Sequence, residues 1–480
     1  MLFCSEKFLV FFTIVFIAYW ALPWPRVRVW LLLGASFYFY ASWNKWLALI
    51  ICVSTAMDYF IARGMEAWES TRGRRLLLVI SLVANLGLLV YFKYANFFLH
   101  SLEETLHSVG GTASLPVLRV ILPIGISFYT FEAINYTVDV YRRRAPAERN
   151  LAHFMLFITF FPHLVAGPIV RARDFLPQIR RPKRWDWLRM QVGVQFLLMG
   201  MFKKVAIADR MALFADPVFA NPGAYGSGAI WIAVVAYALQ IYCDFSGYTD
   251  MALGAAHMLG YKLAQNFNMP YLSVNISEFW RRWHISLSTW LRDYLFIPLG
   301  GSQGVACPHC QRTRTNRNLM ITMTLGGLWH GASWTFVGWG VLHGFYLIGH
   351  RYFRDFAKTR PRLDGLLQTM PGTGLRVAAT LFCVCLGWIF FRAATFTAAG
   401  SMIFRFLVPH AGLSLPLPAV GFWYTVGCVA LCHALAQSGL WRKWSPRLPA
   451  PVLGFGYATA LTLALVLAPD SGKAFIYFQF

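Results

Sequence analysis

Apolar residues dominate this chain in long runs broken by short polar stretches, the pattern of segments that live in lipid. The clearest runs are Phe8–Leu22, Val29–Ala62, Leu76–Leu99, Leu151–Val165, Val192–Leu213 and Ile230–Leu259, then Leu319–Ile348, Val377–Phe391, Val420–Leu435 and Val452–Leu467. Val29–Ala62 is long enough for a pair of spans. A helix crosses the hydrocarbon core with about 20 residues. The pattern therefore predicts an all-α, polytopic integral membrane protein with roughly ten to twelve embedded helices. Val117–Val140 and Phe279–Leu299 are apolar but interrupted by charge, proline or glycine. Irregular backbone survives at membrane depth only where protein or a polar cavity covers it, so some segments are expected to be re-entrant. No repeat or low-complexity linker divides the sequence, which favours a single membrane domain over residues 1–480.

Composition strengthens this reading. Of 480 residues, 58% are hydrophobic and 13% charged, and the mean hydropathy is +0.51. The run Phe8–Leu22 has neither a basic segment before it nor a small-residue cleavage site after it, so it reads as a retained span. The net charge of +23 would point to nucleic acid in a soluble protein. Here the arginines cluster between apolar runs, at Arg63 with Arg72–Arg75, Arg142–Arg144, Arg171–Arg184, Arg312–Arg317 and Arg351–Arg362. That is the positive-inside pattern of cytoplasmic loops. No nucleic-acid partner is expected, and the lipid bilayer is the first partner. Seven of the nine cysteines fall in apolar stretches, as small core residues do, and give no disulfide framework.

Polar residues inside apolar segments are expensive and therefore informative. The densest group runs from Glu278 through Arg281, Arg282 and Trp283 to His284, and on to Trp290, Arg292 and Asp293. Read as one helix, it gathers Trp280, Trp283, Leu287 and Trp290 on one face. It should line a cavity or lie at the interface; an amphipathic surface helix is the plainer alternative. A second group, Gly326–Trp334, places Trp329 and His330 among small residues that clear space around the ring. A buried histidine that merely packs would look similar. In a third group, Tyr242–Asp250, the carboxylates Asp244 and Asp250 sit in an apolar run, where charge pairing with an intramembrane lysine or arginine competes with direct chemistry. Cys307-Pro-His-Cys310 has no second Cys-x-x-Cys and reads as a loop thiol pair, with no metal site assigned. Neither a P-loop nor a Gly-x-Ser-x-Gly elbow is present, so ATP-driven transport and serine-hydrolase chemistry lack their residues.

Several stretches in one order carry a more specific signal. They are Leu122–Phe131, Tyr136–Tyr141, Phe161–Ile169, Asp244–Ala252, Asn266–Gly301, Thr324–Gly340 and the tail Phe475–Phe480. Together they resemble the membrane-bound O-acyltransferase family, in its bacterial branch that acetylates alginate. The resemblance implies one domain of that type, with its motif-rich catalytic core at 122–350. It implies His330 as the essential histidine and His284 as a second; Trp329, Asp244, Asp250, Glu278, Arg281 and Trp283, from the polar groups above, are read as supporting or channel residues beside them. It implies no tightly bound cofactor. The donor would be acetyl-CoA or another acyl thioester, and the acceptor a polysaccharide hydroxyl or a periplasmic relay protein. His330 would act as general base, and His284 would orient the acyl group or donate to the developing oxyanion. The place would be the bacterial inner membrane. The loop Ser302–Thr315, with its Cys-Pro-His-Cys, departs from the branch pattern. D-alanyl transfer from a carrier protein to teichoic acid is the alternative within the family. A transporter is the alternative outside it, although no inverted repeat is visible. The segments 266–301 and 319–348 are expected to form a thin partition around His330, reached by donor and acceptor from opposite faces.

Overall fold

The computed structural model describes residues 3–112, 114–302, 307–444, 447–468 and 475–476. Helices supply the regular structure, with one isolated bridge, Tyr225 to Leu413, among the described residues. Six described helical stretches are long and apolar enough to cross a membrane: Lys45–Ala67, Thr71–Ser108, Trp187–Ala220, Ser227–Met258, Met370–Arg392 and Val420–Gln437. Shorter apolar helices follow at Phe396–Leu407 and Ala450–Val466. The chain is thus an all-α, multi-pass membrane protein. Thr71–Ser108 and Trp187–Ala220 each pass through one π turn, at Val90–Tyr94 and Lys203–Ala208.

The chain forms two compact units. The first comprises residues 1–197 and 248–264, and the second 198–247 and 265–480. Within the first, polar side chains inside the apolar helices satisfy one another, as hydrocarbon requires. Asp58 accepts from Ser81 Oγ at 2.6 Å and from Asn85 Nδ2 at 2.8 Å, and Ser81 also reaches Thr137 at 3.2 Å. Glu132 faces His163 Nδ1 at 3.1 Å and accepts the Val170 N–H at 2.9 Å.

In the second unit, the run Leu319–Ile348 is two helices, Pro308–His330 and Trp334–Lys358. The break falls at Gly331–Ser333, where Gly331 is extended and the Ser333 hydroxyl accepts the Thr335 N–H at 3.3 Å. The two helices pack backbone to backbone. A Cβ on Gly327 would sit 2.3 Å from the Phe336 carbonyl oxygen, and one on Gly340 would sit 2.3 Å from that of Met323. No side chain fits at that approach. Gly340→Ala is therefore expected to destabilise the protein by about 1–3 kcal/mol and to displace the end of the helix that carries His330. Thermal unfolding of detergent-solubilised protein checks this, and an unchanged unfolding temperature would contradict the packing.

Candidate active site

The polar segment Glu278–Asp293 is not one helix. It forms Ile276–Arg282 and Ile285–Leu291, with His284 at the joint in a left-handed conformation, φ +42°. A residue with a Cβ is strained there by about 1–2 kcal/mol. The irregular stretch 266–268 holds the joint in place. Asn268 N–H donates to the Arg282 carbonyl at 2.9 Å, and Ile285 N–H donates to the Asn266 carbonyl at 2.9 Å.

The Asn266 side chain then fixes the imidazole. Its Oδ1 lies 3.1 Å from His284 Nδ1 and accepts from Ser286 N–H at 3.2 Å and Ser286 Oγ at 2.9 Å. A backbone N–H can only donate, so the amide oxygen, not its nitrogen, occupies this position. His284 Nδ1 must therefore carry a proton toward Asn266, and Nε2 is the lone-pair nitrogen of the neutral ring. This revises one expectation for His284. In that tautomer Nε2 accepts a hydrogen bond and does not donate one to an oxyanion. Asn266→Ala is expected to lower turnover by about 5–150-fold by releasing the ring. Asn266→Asp, which keeps an acceptor for all three donors, should retain more. Equal turnover in Asn266→Ala and wild type would show that the ring needs no such anchor.

His330 ends the helix Pro308–His330 and faces the same cluster. His284 is 0% exposed and His330 3%, so neither lies on a lipid-facing surface. Their ring centroids are 6.4 Å apart, and Trp329 lies 5.9 Å from the first and 5.0 Å from the second. Trp339 and Phe391 pack edge-on to His330 at 5.0 and 5.1 Å, and Phe245 packs edge-on to His284 at 4.7 Å. The structure thus brings together His284, His330 and Trp329.

The other residues singled out in the sequence have different surroundings. Asp244 forms an ion pair with Lys204 at 2.7 Å and accepts the Ile476 N–H at 2.7 Å, so charge pairing describes it better than a channel position. Phe475, next to Ile476, is buried 6.0 Å from Phe245; Tyr477–Phe480 of the same tail lie outside the described residues. Glu278 starts its helix, accepting the Val274 N–H at 3.0 Å and pairing with Arg282 at 2.7 Å. Trp283 belongs to an aromatic core, stacked on Phe279 at 5.6 Å and 4.9 Å from Trp388. Arg281 is exposed. Asp250 is half-buried on the part of its helix that belongs to the first unit. Cys307 caps the helix Pro308–His330, accepting the Cys310 N–H at 3.3 Å. The Cys310 thiol and N–H hold the Cys307 thiol below its ordinary pKa. Residues 303–306 of that loop lie outside the described residues.

Two residues were not foreseen. Asn266 opens the longest of the ordered motifs, but only the fold shows what it holds. His343 is 0% exposed, 4.6 Å from Trp339 and 5.2 Å from Trp280, and neither of its ring nitrogens has a hydrogen-bond partner among the described residues. In the sequence it is the second histidine of the apolar run Leu319–Ile348 that carries His330.

Comparison with known proteins fits this arrangement. Residues 88–388 match the profile of MBOAT, the membrane-bound O-acyltransferase family. The chain is 43% identical to "Probable alginate O-acetylase AlgI" of Azotobacter vinelandii over 84% of its own length and 77% of that protein's. It is 36% identical to the peptidoglycan O-acetyltransferase of Helicobacter pylori, over 81% and 75% of the two chains. The teichoic acid D-alanyltransferase of Bacillus subtilis is more distant, at 26% identity over 58% and 71%.

Proposed function

The chain belongs to the membrane-bound O-acyltransferase family, and from that premise we propose that it acetylates hydroxyls of an exported, alginate-like polysaccharide, drawing acetyl from a cytoplasmic thioester across the inner membrane. Acetyl-CoA is the simplest donor. The acceptor is the sugar itself or a periplasmic relay protein. The observation that carries the reading is the buried pair His284 and His330, 6.4 Å apart with Trp329 beside both.

A neutral hydroxyl is a poor nucleophile at neutral pH and needs a base as its bond to the acyl carbon forms. His330 takes that proton. The carbonyl end of its helix carries partial negative charge, which favours the imidazolium formed. The thioester carbon becomes tetrahedral, the carbon–sulfur bond breaks, and the thiolate leaves with the proton returned from His330. His284, held by Asn266, offers a lone pair at Nε2 that keeps the hydroxyl in line. Both rings are closed off from lipid, so charge can develop between them without exposure to hydrocarbon.

The test uses sealed inner-membrane vesicles of each orientation, given labelled acetyl-CoA from outside. Label should enter the polysaccharide or relay fraction only when the cytoplasmic face is outward. Equal labelling in both orientations would overturn the proposed sidedness. Labelling only from a charged carrier protein would turn the reading toward D-alanyl transfer.

A further inference from the structure

The helix Ile126–Tyr141 ends in a left-handed C-terminal cap built of arginines. Arg143 has φ +57°, a left-handed conformation for which glycine is the default. The backbone holds it there: Arg143 N–H donates to the Val140 carbonyl at 3.0 Å and Arg144 N–H to that of Asp139 at 2.8 Å. Against this turn lies a cavity of about 410 Å³ lined by Arg74, Arg143, Arg144, Glu66 and Pro146, among others. A neighbouring cavity of about 420 Å³ shares Pro146 and adds Arg149, together with Arg180, which the Glu148 carboxylate in the same lining already pairs.

The charge balance is positive. The Glu66 carboxylate is already engaged, by Arg63 at 3.2 Å and by the Ala147 N–H at 3.3 Å. Arg74 is 9% exposed. Its Nη2 donates to the Val140 and Tyr141 carbonyls at 3.3 and 2.8 Å, and its Nε is buried without a hydrogen-bond partner among the described residues. Arg74 also lies in the first turn of the apolar stretch Thr71–Ser108. The cavity is therefore at the end of a membrane span, at the level where phosphate headgroups begin.

We propose that this cavity is a phosphate-binding site at the membrane surface, in which Arg143 and Arg144 grip a phosphate anion over Arg74. Guanidinium forks match phosphate oxygens in pairs. The volume suits a small charged headgroup. The phosphate could come from an anionic phospholipid or from a soluble nucleotide thioester, and the probes below separate the two. The strained Arg143 is then explained, since the left-handed turn directs a charged residue to the cavity where glycine would supply none.

The experiment measures equilibrium binding of labelled phosphatidylglycerol in mixed micelles, and separately of labelled coenzyme A, to the purified full chain in neutral detergent. The variants are Arg143→Gly, Arg144→Gln and both together, with the exposed Arg173→Gln as a charge control. Glycine suits the left-handed turn, so lost binding in Arg143→Gly does not come from a misfolded loop. One probe should bind saturably, and the double variant should weaken it by about tenfold or more while Arg173→Gln does not. Preference for phosphatidylglycerol assigns the site to lipid, and preference for coenzyme A assigns it to a soluble donor. Wild-type affinity in the double variant, an equal loss in Arg173→Gln, or saturable binding of neither probe would each overturn the proposal.

Discussion

His330→Gln is expected to lower acyl transfer by about 10²–10⁴-fold, the usual contribution of a positioned general base, or roughly 3–5 kcal/mol of barrier. Glutamine is the better replacement because His330 is 3% exposed and packs against Trp339 and Phe391. Alanine would add a cavity to the chemical defect. The loss should fall on kcat, with the donor KM little changed, because proton transfer matters only in the transition state. A steady-state rate series in donor concentration, at matched protein levels, separates the two. A rise in KM at constant kcat would make His330 a binding residue.

Lys204→Met is expected to have the largest effect on folding. Lys204 Nζ lies 2.7 Å from both Asp209 and Asp244, and each of the three side chains is at most 6% exposed. Methionine keeps the length of the stem but leaves two buried carboxylates without their cation. Removing one partner of a buried ion pair typically destabilises by about 3–5 kcal/mol. The same Asp244 holds the Ile476 N–H, so the described part of the tail should loosen too. Detergent-solubilised Lys204→Met should elute as aggregate in size-exclusion chromatography. Adding Asp244→Asn, which removes one excess charge and keeps an oxygen for Ile476, should recover part of the monodisperse peak. A wild-type profile for Lys204→Met alone would show that the triad contributes little.

The spans were the legible part of the fold. The runs Ile230–Leu259, Val377–Phe391 and Val420–Leu435 correspond to the helices Ser227–Met258, Met370–Arg392 and Val420–Gln437, because twenty apolar residues in lipid have almost no alternative to helix. The breaks were less legible. Nothing local to Trp283-His284-Ile285 marks a turn, and the left-handed His284 exists because residues 266–268 hydrogen-bond across it. The pause at Gly331–Ser333 was visible only as small residues. In the site, the two histidines stood out as polar groups in apolar surroundings, and the family resemblance ranked them. Asn266 did not stand out, since its importance lies in a contact 18 residues away in sequence. Asp244 and Lys204 are forty positions apart, so the pairing of an intramembrane carboxylate could be anticipated in kind but not in partner.

The most direct test supplies labelled acetyl-CoA to membranes containing wild type or His330→Gln, together with the polysaccharide or its relay protein. Wild type should pass label to the acceptor, and His330→Gln should reduce that label at least about a hundredfold. Transfer by His330→Gln at the wild-type rate would contradict the account, leaving His330 as a packing residue in an aromatic core.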